Sequence, residues 1–307
     1  MARQRPTCSA VDIARTVFYL DLDPQVAPLL PAGAAVTSER LLRAAGLLKP
    51  AHVALYRRPW FRRLTDRVQR WVAPGHVLHI GLRKRFFDEE TRAALSAGAT
   101  QVLVLGAGFD TLCVRLAPEH PDVGLFELDR PSTHQAKLAA IEALGAGRPN
   151  LHLIGVDLSV TSLDQALGAA PGWRQDAVSV MVVEGVLMYL PEPAVSEMLE
   201  ALRRCTRTGS RLLFTYLPVD EAGKPAFGKW GGALKTMARL IGEPFLWGIA
   251  PEALPGFLAP HGFRVDPDPD RCDLRRRFLG PAGLADWALG RFERIAVAER
   301  VEPDPRS

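Results

Sequence analysis

The sequence has only four cysteines in 307 residues, and they lie far apart. They form no CxxC pair and have no histidine at the spacing of a zinc site: Cys8, Cys113, Cys205 and Cys272. Scattered thiols of this kind are typical of a reducing compartment. We therefore expect no metal site, no disulfide framework and a cytoplasmic location.

Long hydrophobic runs are also absent. No apolar stretch approaches the roughly 18 residues that a membrane span needs, so we expect no membrane insertion. The chain starts with basic residues, but Asp12 and Arg15 interrupt the apolar part that follows, and no small-residue cleavage site is evident. We interpret the N-terminus as mature sequence. A length of 307 residues suits one large α/β domain.

Neither sign of charge dominates, since 38 lysines and arginines stand against 34 aspartates and glutamates. The small basic excess lies in residues 55–71, 81–87 and 274–278. In the first segment, arginines separate an apolar set at helical spacing: Phe61, Leu64, Val68 and Trp71. This pattern predicts an amphipathic helix with a solvated basic face. A surface for nucleic acid or membrane is the alternative; because no basic tail supports it, we expect no nucleic-acid partner.

Short apolar runs alternate with helical patterns from about residue 76 onward. The apolar runs predict strands in residues 100–106, 123–129, 152–158, 178–190 and 211–218. Helical patterns occupy residues 110–118, 131–145, 161–169 and 192–205, and residues 251–265 and 291–301 supply a further helix and two closing strands. Strands that alternate with helices form right-handed βαβ units. The sequence therefore predicts an α/β fold with a doubly wound, mostly parallel sheet.

Two segments stand outside this alternation. Residues 1–75 consist of helical patterns separated by prolines and glycines, and we expect a helical N-terminal cap there, with the main domain in residues 76–307. Residues from about 219 to 250 interrupt the alternation with glycines and aromatics. We interpret them as an inserted lid whose aromatic residues exclude water from a substrate, with core packing of the same residues as the alternative: Trp230, Phe245 and Trp247.

A glycine-rich turn, LGAGFD, follows the first predicted strand and contains Gly106 and Gly108. Ligands of doubly wound sheets bind at this end of the strands. A dinucleotide site would have a third glycine at position 111 and a helix N-terminus open to pyrophosphate, but the chain has Thr111 preceded by Asp110. A carboxylate there repels phosphate, although it also serves as a plain N-cap. The loop favours a cationic, phosphate-free cofactor such as S-adenosylmethionine over NAD.

Acidic residues follow the next three predicted strands. Asp129 comes about twenty residues after the loop, where an acid accepts hydrogen bonds from ribose hydroxyls. Asp157 closes the third predicted strand, in a position to receive an adenine amino group, and Glu184 closes the fourth. Since parallel strands end at one edge of the sheet, we expect the three carboxylates on the same rim as the glycine loop.

Several of these segments resemble the leucine carboxyl methyltransferase family. They are LVLGAGFDTLCVRL, FELDRPSTHQAK, GVDL and VEGVLMYLPEPAV, with GLRKRFFDEE before them and GEPFLWGIAPEALPGFLAPHGF after them. The resemblance runs in order from about residue 80 to 265. It implies a class I S-adenosylmethionine-dependent methyltransferase with a seven-stranded Rossmann-like sheet, in a family whose bacterial members often act on small molecules.

The resemblance also implies roles for the residues around the cofactor. Gly106 and Gly108 let the backbone approach it, Asp129 binds its ribose, and Asp157 and Leu158 frame its adenine.

Four further positions receive roles at the other end of the cofactor. Arg83 holds the carboxylate of its methionine part, which suits a guanidinium. Glu184 faces its amino group, Tyr189 lies near the substrate mouth, and Lys137 forms a structural ion pair.

We predict from this resemblance an O-methyltransferase that acts on a carboxylate, or a hydroxyl, of a small molecule. A carboxylate with a pKa near 4 is ionised at neutral pH and needs no general base. A phenol or alcohol needs one, and His76 and His79 are then the first candidates. The alternatives are a methyltransferase of protein C-terminal carboxyls, an NAD-dependent oxidoreductase and a non-catalytic nucleic-acid-binding protein. The N-terminal third does not match the family pattern, so it identifies no acceptor, and the sequence gives no oligomeric state.

Overall fold

The computed structural model describes residues 6–220, 223, 242–268, 270–290 and 293–302. The centre of the predicted lid, including Trp230, lies outside these described residues.

The described strands form one seven-stranded sheet in the order β3-β2-β1-β4-β5-β7-β6. The strands are β1 (Gln101–Leu105), β2 (Gly124–Asp129), β3 (Leu151–Gly155), β4 (Ser179–Val183), β5 (Arg211–Tyr216), β6 (Phe263–Val265) and β7 (Arg294–Arg300). All neighbouring pairs among β1 to β5 are parallel, and only β7 runs antiparallel to its neighbours β5 and β6. The prediction of a doubly wound, mostly parallel, Rossmann-like sheet is confirmed.

The central strands are apolar at nearly every position because both faces of the sheet are covered. Every residue of β1 and of β4 is buried. Alternate side chains of β1 enter different cores: Val102 and Val104 pack on one face of the sheet, Leu103 and Leu105 on the other. Helical layers therefore cover both faces of the sheet and leave its carboxyl edge open.

Helices connect and cover the strands. They are α1 (Cys8–Leu20), α2 (Ala34–Ala44), α3 (Pro50–Tyr56), α4 (Pro59–Val72), α5 (His76–Ser96), α6 (Leu112–Glu119), α7 (Pro131–Ala143), α8 (Leu163–Gly168), α9 (Glu192–Cys205) and α10 (Leu254–Leu258). A single π-helical turn spans Arg275–Leu279. No helix among those described is both long and apolar enough to cross a membrane.

Helix α5 is the longest of the described helices. It runs for 21 residues, and its buried residues lie on all sides of the helix rather than on one face. It packs beneath the sheet through Leu82 and Phe86, which belong to the same core as Val102. A helix that is buried all round lacks a clear apolar stripe, so its continuity is invisible in the sequence pattern.

Helix α1 packs beside the glycine loop. Its residues Val11 and Phe18 share a core with Phe109 from the loop and with Val114 on α6. The N-terminal helices and the sheet thus bury apolar surface together. The division into a cap of residues 1–75 and a main domain of residues 76–307 stays a prediction.

Helix α4 is the amphipathic helix that the arginine-rich segment predicts, but its apolar side is turned outward. Phe61 is half-buried, whereas Leu64, Val68 and Trp71 are exposed, and no residue of the helix is buried. The solvated basic face is present as predicted, and most of the apolar side faces solvent as well.

Candidate active site

A cavity of about 690 Å³ opens at the carboxyl ends of β1, β2 and β4. This volume lies in the range of sites for cofactors and small ligands. Its wall is built from the loop after β1, the residues after β2 and β4, the first turns of α1, and the middle of α5. The location is the one at which doubly wound sheets bind ligands.

The glycine loop needs glycine at two positions. Gly106 and Gly108 have φ angles of 64° and 53°, a region that other residues adopt only with strain. A Cβ atom on Gly106 would lie 2.5 Å from Cγ2 of Val186, and one on Gly108 would lie 2.9 Å from Cβ of Ala10. The loop therefore lies against its neighbours with no room for side chains, and its backbone forms part of the cavity wall.

Asp129 anchors this loop from the end of β2. Its Oδ2 accepts a hydrogen bond from the backbone N–H of Gly108 at 2.5 Å, and its Oδ1 accepts one from the backbone N–H of Arg130 at 2.6 Å. A carboxylate has about four acceptor positions, so roughly two remain for further donors. The side chain lines the cavity, which suits the predicted contact with ribose hydroxyls.

Asp110 lies one residue before Thr111, the N-cap of helix α6, and it is not an uncompensated charge. Its Oδ1 accepts from the backbone N–H of Leu112 at 2.6 Å, and Lys84 donates from its Nζ to Oδ2. Burial alone would raise the pKa of Asp110, but the ammonium groups of Lys84 and Lys137 outweigh it and hold this pKa well below its usual range. Asp110 thus binds the first backbone N–H of α6 without occupying its N-cap position, and no cationic cofactor is needed to balance its charge.

Lys137 forms the structural ion pair expected of it. Its Nζ lies 2.5 Å from Oε2 of Glu127 and 2.6 Å from the carbonyl oxygen of Asp110, and both side chains of the ion pair are 2% exposed. The pair links α7 to β2 directly behind the glycine loop.

Arg83 lies at the floor of the cavity, 3% exposed, between two carboxylates. Its Nε donates to Oε1 of Glu184 at 2.6 Å, and its Nη1 donates to Glu293. Burial would lower the pKa of Arg83, but the two carboxylates outweigh this and raise it. The remaining nitrogen, Nη2, is buried and has no hydrogen-bond partner. An unpaired guanidinium N–H in a cavity wall fits a ligand carboxylate.

Glu184 is already occupied by two cations of its own chain. Besides Arg83, it contacts Lys84, whose Nζ lies 3.0 Å from Oε2 of Glu184. The cofactor amino group that Glu184 is predicted to face would therefore share this carboxylate with Lys84. Lys84 and Glu293 are the two members of this network that sequence reasoning missed. Lys84 adjoins Arg83 in the arginine-rich segment, but nothing in the local sequence marks Glu293.

Asp157 and Leu158 lie at the rim of the cavity. Strand β3 ends at Gly155, so Asp157 follows the strand by two residues and does not close it. Asp157 is exposed, and the hydroxyl and backbone N–H of Ser159 donate to its Oδ1 at 2.6 and 3.0 Å. These hydrogen bonds lower the pKa of Asp157, which keeps it an ionised acceptor at neutral pH.

Tyr189 lines the opposite wall and stacks on Phe245, with ring centroids 5.5 Å apart and an interplanar angle of 20°. Burial raises the pKa of Tyr189, and the nearby carboxylates of Glu243 and Glu293 add to this. Oε2 of Glu243, also in the wall, is buried and accepts no hydrogen bond. Trp247 is 5% exposed and packs on Phe257 in the core, so core packing is the one of its two predicted roles that the structure shows.

Acidic side chains outnumber basic ones in the described wall of the cavity. Eight acids line it: Asp88, Asp110, Asp129, Asp157, Asp164, Glu184, Glu197 and Glu243. Five bases line it: Arg83, Lys84, Arg115, Arg130 and Arg204. An acidic excess favours a ligand with positive charge and disfavours pyrophosphate. The chemistry of the wall fits S-adenosylmethionine, which carries a sulfonium, an ammonium and one carboxylate.

Histidine takes no part in the described wall. His76 and His79 lie in the first turn of α5 outside the cavity, and burial lowers the pKa of each to about 4. Neither is placed to act as a base on a ligand in this cavity. Within the described ranges, no group of three or more potential metal ligands occurs either.

A comparison with protein families identifies the chain. The family model described as leucine carboxyl methyltransferase matches residues 37–203. The chain belongs to the leucine carboxyl methyltransferase family. The matched region contains the glycine loop, the cavity residues from α5 to α9, and the ion pair behind the loop.

Individual relatives are described as methyltransferases. A protein from Parafrankia sp., described as a putative S-adenosyl-L-methionine-dependent methyltransferase, is 31% identical over 203 residues, which cover 64% of this chain and 63% of that protein. A protein of the same description from Saccharopolyspora erythraea is 29% identical over 231 residues, 72% of this chain and 76% of that protein. The match with the Parafrankia protein thus spans less than two thirds of its length.

A solved structure agrees on the fold. The crystal structure of a putative methyltransferase from Thermobifida fusca superposes with a TM-score of 0.52 at 17% identity, covering 86% of this chain and 94% of that one. The prediction of the family is confirmed by the match of its model to residues 37–203. The relatives are described as S-adenosylmethionine-dependent methyltransferases, and this activity is proposed for the chain below. The individual site residues stay predictions.

Proposed function

We propose that this protein transfers a methyl group from S-adenosylmethionine to a carboxylate oxygen of a small molecule. The main support for this acceptor is that the described wall of the cavity contains no histidine and no unpaired lysine, and that its carboxylates are weak bases for a phenol or alcohol. No histidine is present, Lys84 and Glu184 are paired with each other, and the pKa of Tyr189 is raised. A carboxylate acceptor is already ionised at neutral pH, whereas a hydroxyl would need its proton removed.

The cofactor is proposed to lie along the glycine loop. Asp129 accepts from its ribose, Asp157 and Leu158 border its adenine, and Nη2 of Arg83 binds its carboxylate. When bound, S-adenosylmethionine supplies a methyl group on a positively charged sulfur, which a nucleophilic oxygen displaces in line. The acidic excess of the wall supports this cofactor over a pyrophosphate-containing one.

The contribution of the chain itself is then positioning and exclusion of water. The stacked pair of Tyr189 and Phe245 gives a rigid apolar wall beside the acceptor. Oε2 of Glu243 is buried and has no hydrogen-bond donor. We propose that it accepts a hydrogen bond from the molecule that receives the methyl group. A substrate that carries a hydroxyl or ammonium group as well as its carboxylate would satisfy that atom.

The test begins with calorimetric titration of the purified protein with S-adenosylmethionine and, separately, with NADH. We expect the protein to bind S-adenosylmethionine but not NADH, and the affinity for S-adenosylmethionine should fall strongly in Asp129→Ala.

Panels of small carboxylic acids and phenols are then incubated with methyl-labelled cofactor. Alkali-labile label in the small-molecule fraction supports the proposal. Alkali-stable label would replace the carboxylate with a hydroxyl acceptor, and alkali-labile label in a protein fraction would indicate a protein C-terminus. Binding of NADH in place of S-adenosylmethionine would overturn the proposal.

A further inference from the structure

We propose that the outer face of helix α4 binds an anionic membrane surface. This face, called here the α4 face, comprises three apolar side chains, Trp60, Leu64 and Val68, and the arginines that border them: Arg63, Arg67 and Arg70. The proposal concerns a surface outside the cavity and does not depend on the proposed methyl acceptor.

The apolar side chains of the α4 face form a continuous exposed stripe. Trp60, Leu64 and Val68 are 60%, 51% and 52% exposed. They follow one another at intervals of four residues, so they lie side by side along the helix. A stripe of this kind is what an amphipathic helix normally buries against its own protein. On α4 it is turned away from the described part of the protein.

Polar contacts fix this orientation from the other side of the helix. The hydroxyl of Tyr19 lies 2.6 Å from Oγ1 of Thr65 and donates to Oδ1 of Asp66 at 2.7 Å. Arg62 donates to the carbonyl oxygen of Leu22, and Phe61 packs on Tyr56 with ring centroids 5.6 Å apart. These contacts attach α4 through the side of the helix that carries Phe61, Thr65 and Asp66, so the apolar stripe on the other side has to point outward.

The charges around the stripe have one sign. Arg63, Arg67 and Arg70 are exposed. The helix, PWFRRLTDRVQRWV, contains one acidic residue, Asp66, and that residue faces inward to Tyr19. Exposed arginines beside an apolar stripe, with no acid between them, match an interface of anionic lipid: the arginines bind phosphate while the apolar side chains enter the headgroup region.

Two other occupants fit less well. A second copy of the chain would bring the arginines of both faces together, and like charges in contact are costly. A nucleic acid would use the arginines, but its phosphate backbone offers nothing to the half-exposed leucine and valine. No α4 residue lines the cavity. The binding expected here is peripheral, within the interface, and requires no helix that spans the membrane.

The contribution of the arginines to membrane binding is tested by sedimentation of the full chain with vesicles. Vesicles of phosphatidylcholine alone are compared with vesicles of phosphatidylcholine and phosphatidylglycerol in a two-to-one ratio. We expect binding to the anionic vesicles only, weakened by salt. Each arginine removed from the α4 face should lower the partition coefficient about fivefold. The triple variant Arg63→Gln, Arg67→Gln, Arg70→Gln should therefore lose roughly a hundredfold.

A matched control removes the same charge elsewhere. Arg148→Gln, Arg207→Gln and Arg264→Gln change three exposed arginines outside α4. This triple variant should keep most of the binding. An equal loss in both triple variants would show that net charge and not the α4 face attracts the vesicles, and it would overturn the proposal.

The apolar part is tested with serine substitutions. Leu64→Ser should lower the partition coefficient on the order of tenfold, and Val68→Ser somewhat less. The control is Val36→Ser, since Val36 is 59% exposed on another helix, and it should change nothing. The melting temperature of each variant should stay that of the wild type, because none of these side chains is buried.

Four results would overturn the proposal. The first is a failure of the wild-type chain to bind anionic vesicles. The second is a concentration-dependent dimer, seen by light scattering, that Leu64→Ser abolishes, since the α4 face would then join two copies. The third is binding of duplex DNA or RNA that the arginine variants weaken while vesicle binding is absent. The fourth is a lowered melting temperature in Leu64→Ser, which would show that the chain itself covers the stripe.

Discussion

Nε of Arg83 donates a hydrogen bond to Oε1 of Glu184 at 2.6 Å, and this contact joins helix α5 to the end of strand β4. Glu293 binds the same guanidinium from the residue before strand β7. A buried arginine with one carboxylate on each side is held in a single position. Its free Nη2 is therefore fixed in the cavity wall before any ligand arrives, which lowers the conformational cost of binding.

We predict that Glu293→Gln lowers the free energy of unfolding by about 3 kcal/mol at neutral pH, because it leaves Arg83 with one partner in a buried site. Burial would raise the pKa of Glu293, but the Arg83 guanidinium outweighs it and lowers the pKa. A carboxyl whose pKa is lower in the folded state stabilises the fold above its unfolded pKa and loses this effect as the pH falls.

The difference between wild type and Glu293→Gln should therefore shrink as the pH falls below about 4.5, the ordinary range of a glutamate pKa. Urea unfolding at several pH values measures it. A difference that stays constant down to acidic pH would contradict the ion pair. Glu302→Gln is the control, since Glu302 is exposed, and it should change the free energy of unfolding very little at any pH.

A second prediction concerns the glycine loop. Gly108→Ala should weaken the binding of S-adenosylmethionine at least tenfold and lower the free energy of unfolding by about 2 kcal/mol. Part of this loss comes from the positive φ angle, and part from the new Cβ atom 2.9 Å from Cβ of Ala10. Calorimetry and urea unfolding measure the two effects.

Gly145→Ala separates the two causes. Gly145 has a φ angle of 59°, similar to that of Gly108, but a Cβ atom there would meet nothing within 4 Å. This variant should lose about 1 kcal/mol of stability from backbone strain and bind the cofactor as tightly as the wild type does. Equal losses of affinity in both variants would refute the close packing of the loop.

The sequence predicted what depends on local pattern. Helix α9 occupies residues 192–205 as predicted, because an apolar stripe follows Pro191 and ends at Cys205. The buried strands β1 and β4 were recognisable because each is a continuous apolar run that begins after a single polar residue. The glycine loop and the acids after the strands followed from the rule that parallel strands end at one edge.

The rest depends on contacts between distant segments. Arg83 and Glu293 are 210 residues apart, and no local pattern pairs them. The compensation of Asp110 by Lys84 depends on how α5 crosses the sheet. The apolar stripe of α4 points outward because the hydroxyl of Tyr19 binds Thr65 and Asp66 on the other side of that helix. Periodicity shows that a helix has an apolar side but not what that side faces.

A third prediction concerns the ion pair behind the loop. Lys137→Met should lower the free energy of unfolding by about 3 kcal/mol, since it leaves the buried carboxyl of Glu127 without its cation. The double variant Lys137→Met, Glu127→Leu should recover most of that loss, because a buried pair can be replaced by apolar side chains. Urea unfolding of Lys137→Met, of Glu127→Leu and of the double variant gives a coupling energy. Strictly additive losses of the free energy of unfolding would refute the ion pair.

The last prediction follows from the absence of a histidine or an unpaired lysine in the described cavity wall. With a carboxylate acceptor, kcat should be nearly constant from about pH 6 to 9, because the acceptor is ionised throughout and no side chain has to take a proton. With a hydroxyl acceptor that needs a base, kcat would rise about tenfold per pH unit below the pKa of that base. The pH profile of kcat for the acceptor found in the labelling experiment distinguishes the two.

His79→Asn serves as the control. The pKa of His79 is lowered to about 4 and the side chain lies outside the cavity, so the profile should keep its shape. A rising profile that flattens in His79→Asn would assign the base to His79 and contradict the proposed carboxylate acceptor.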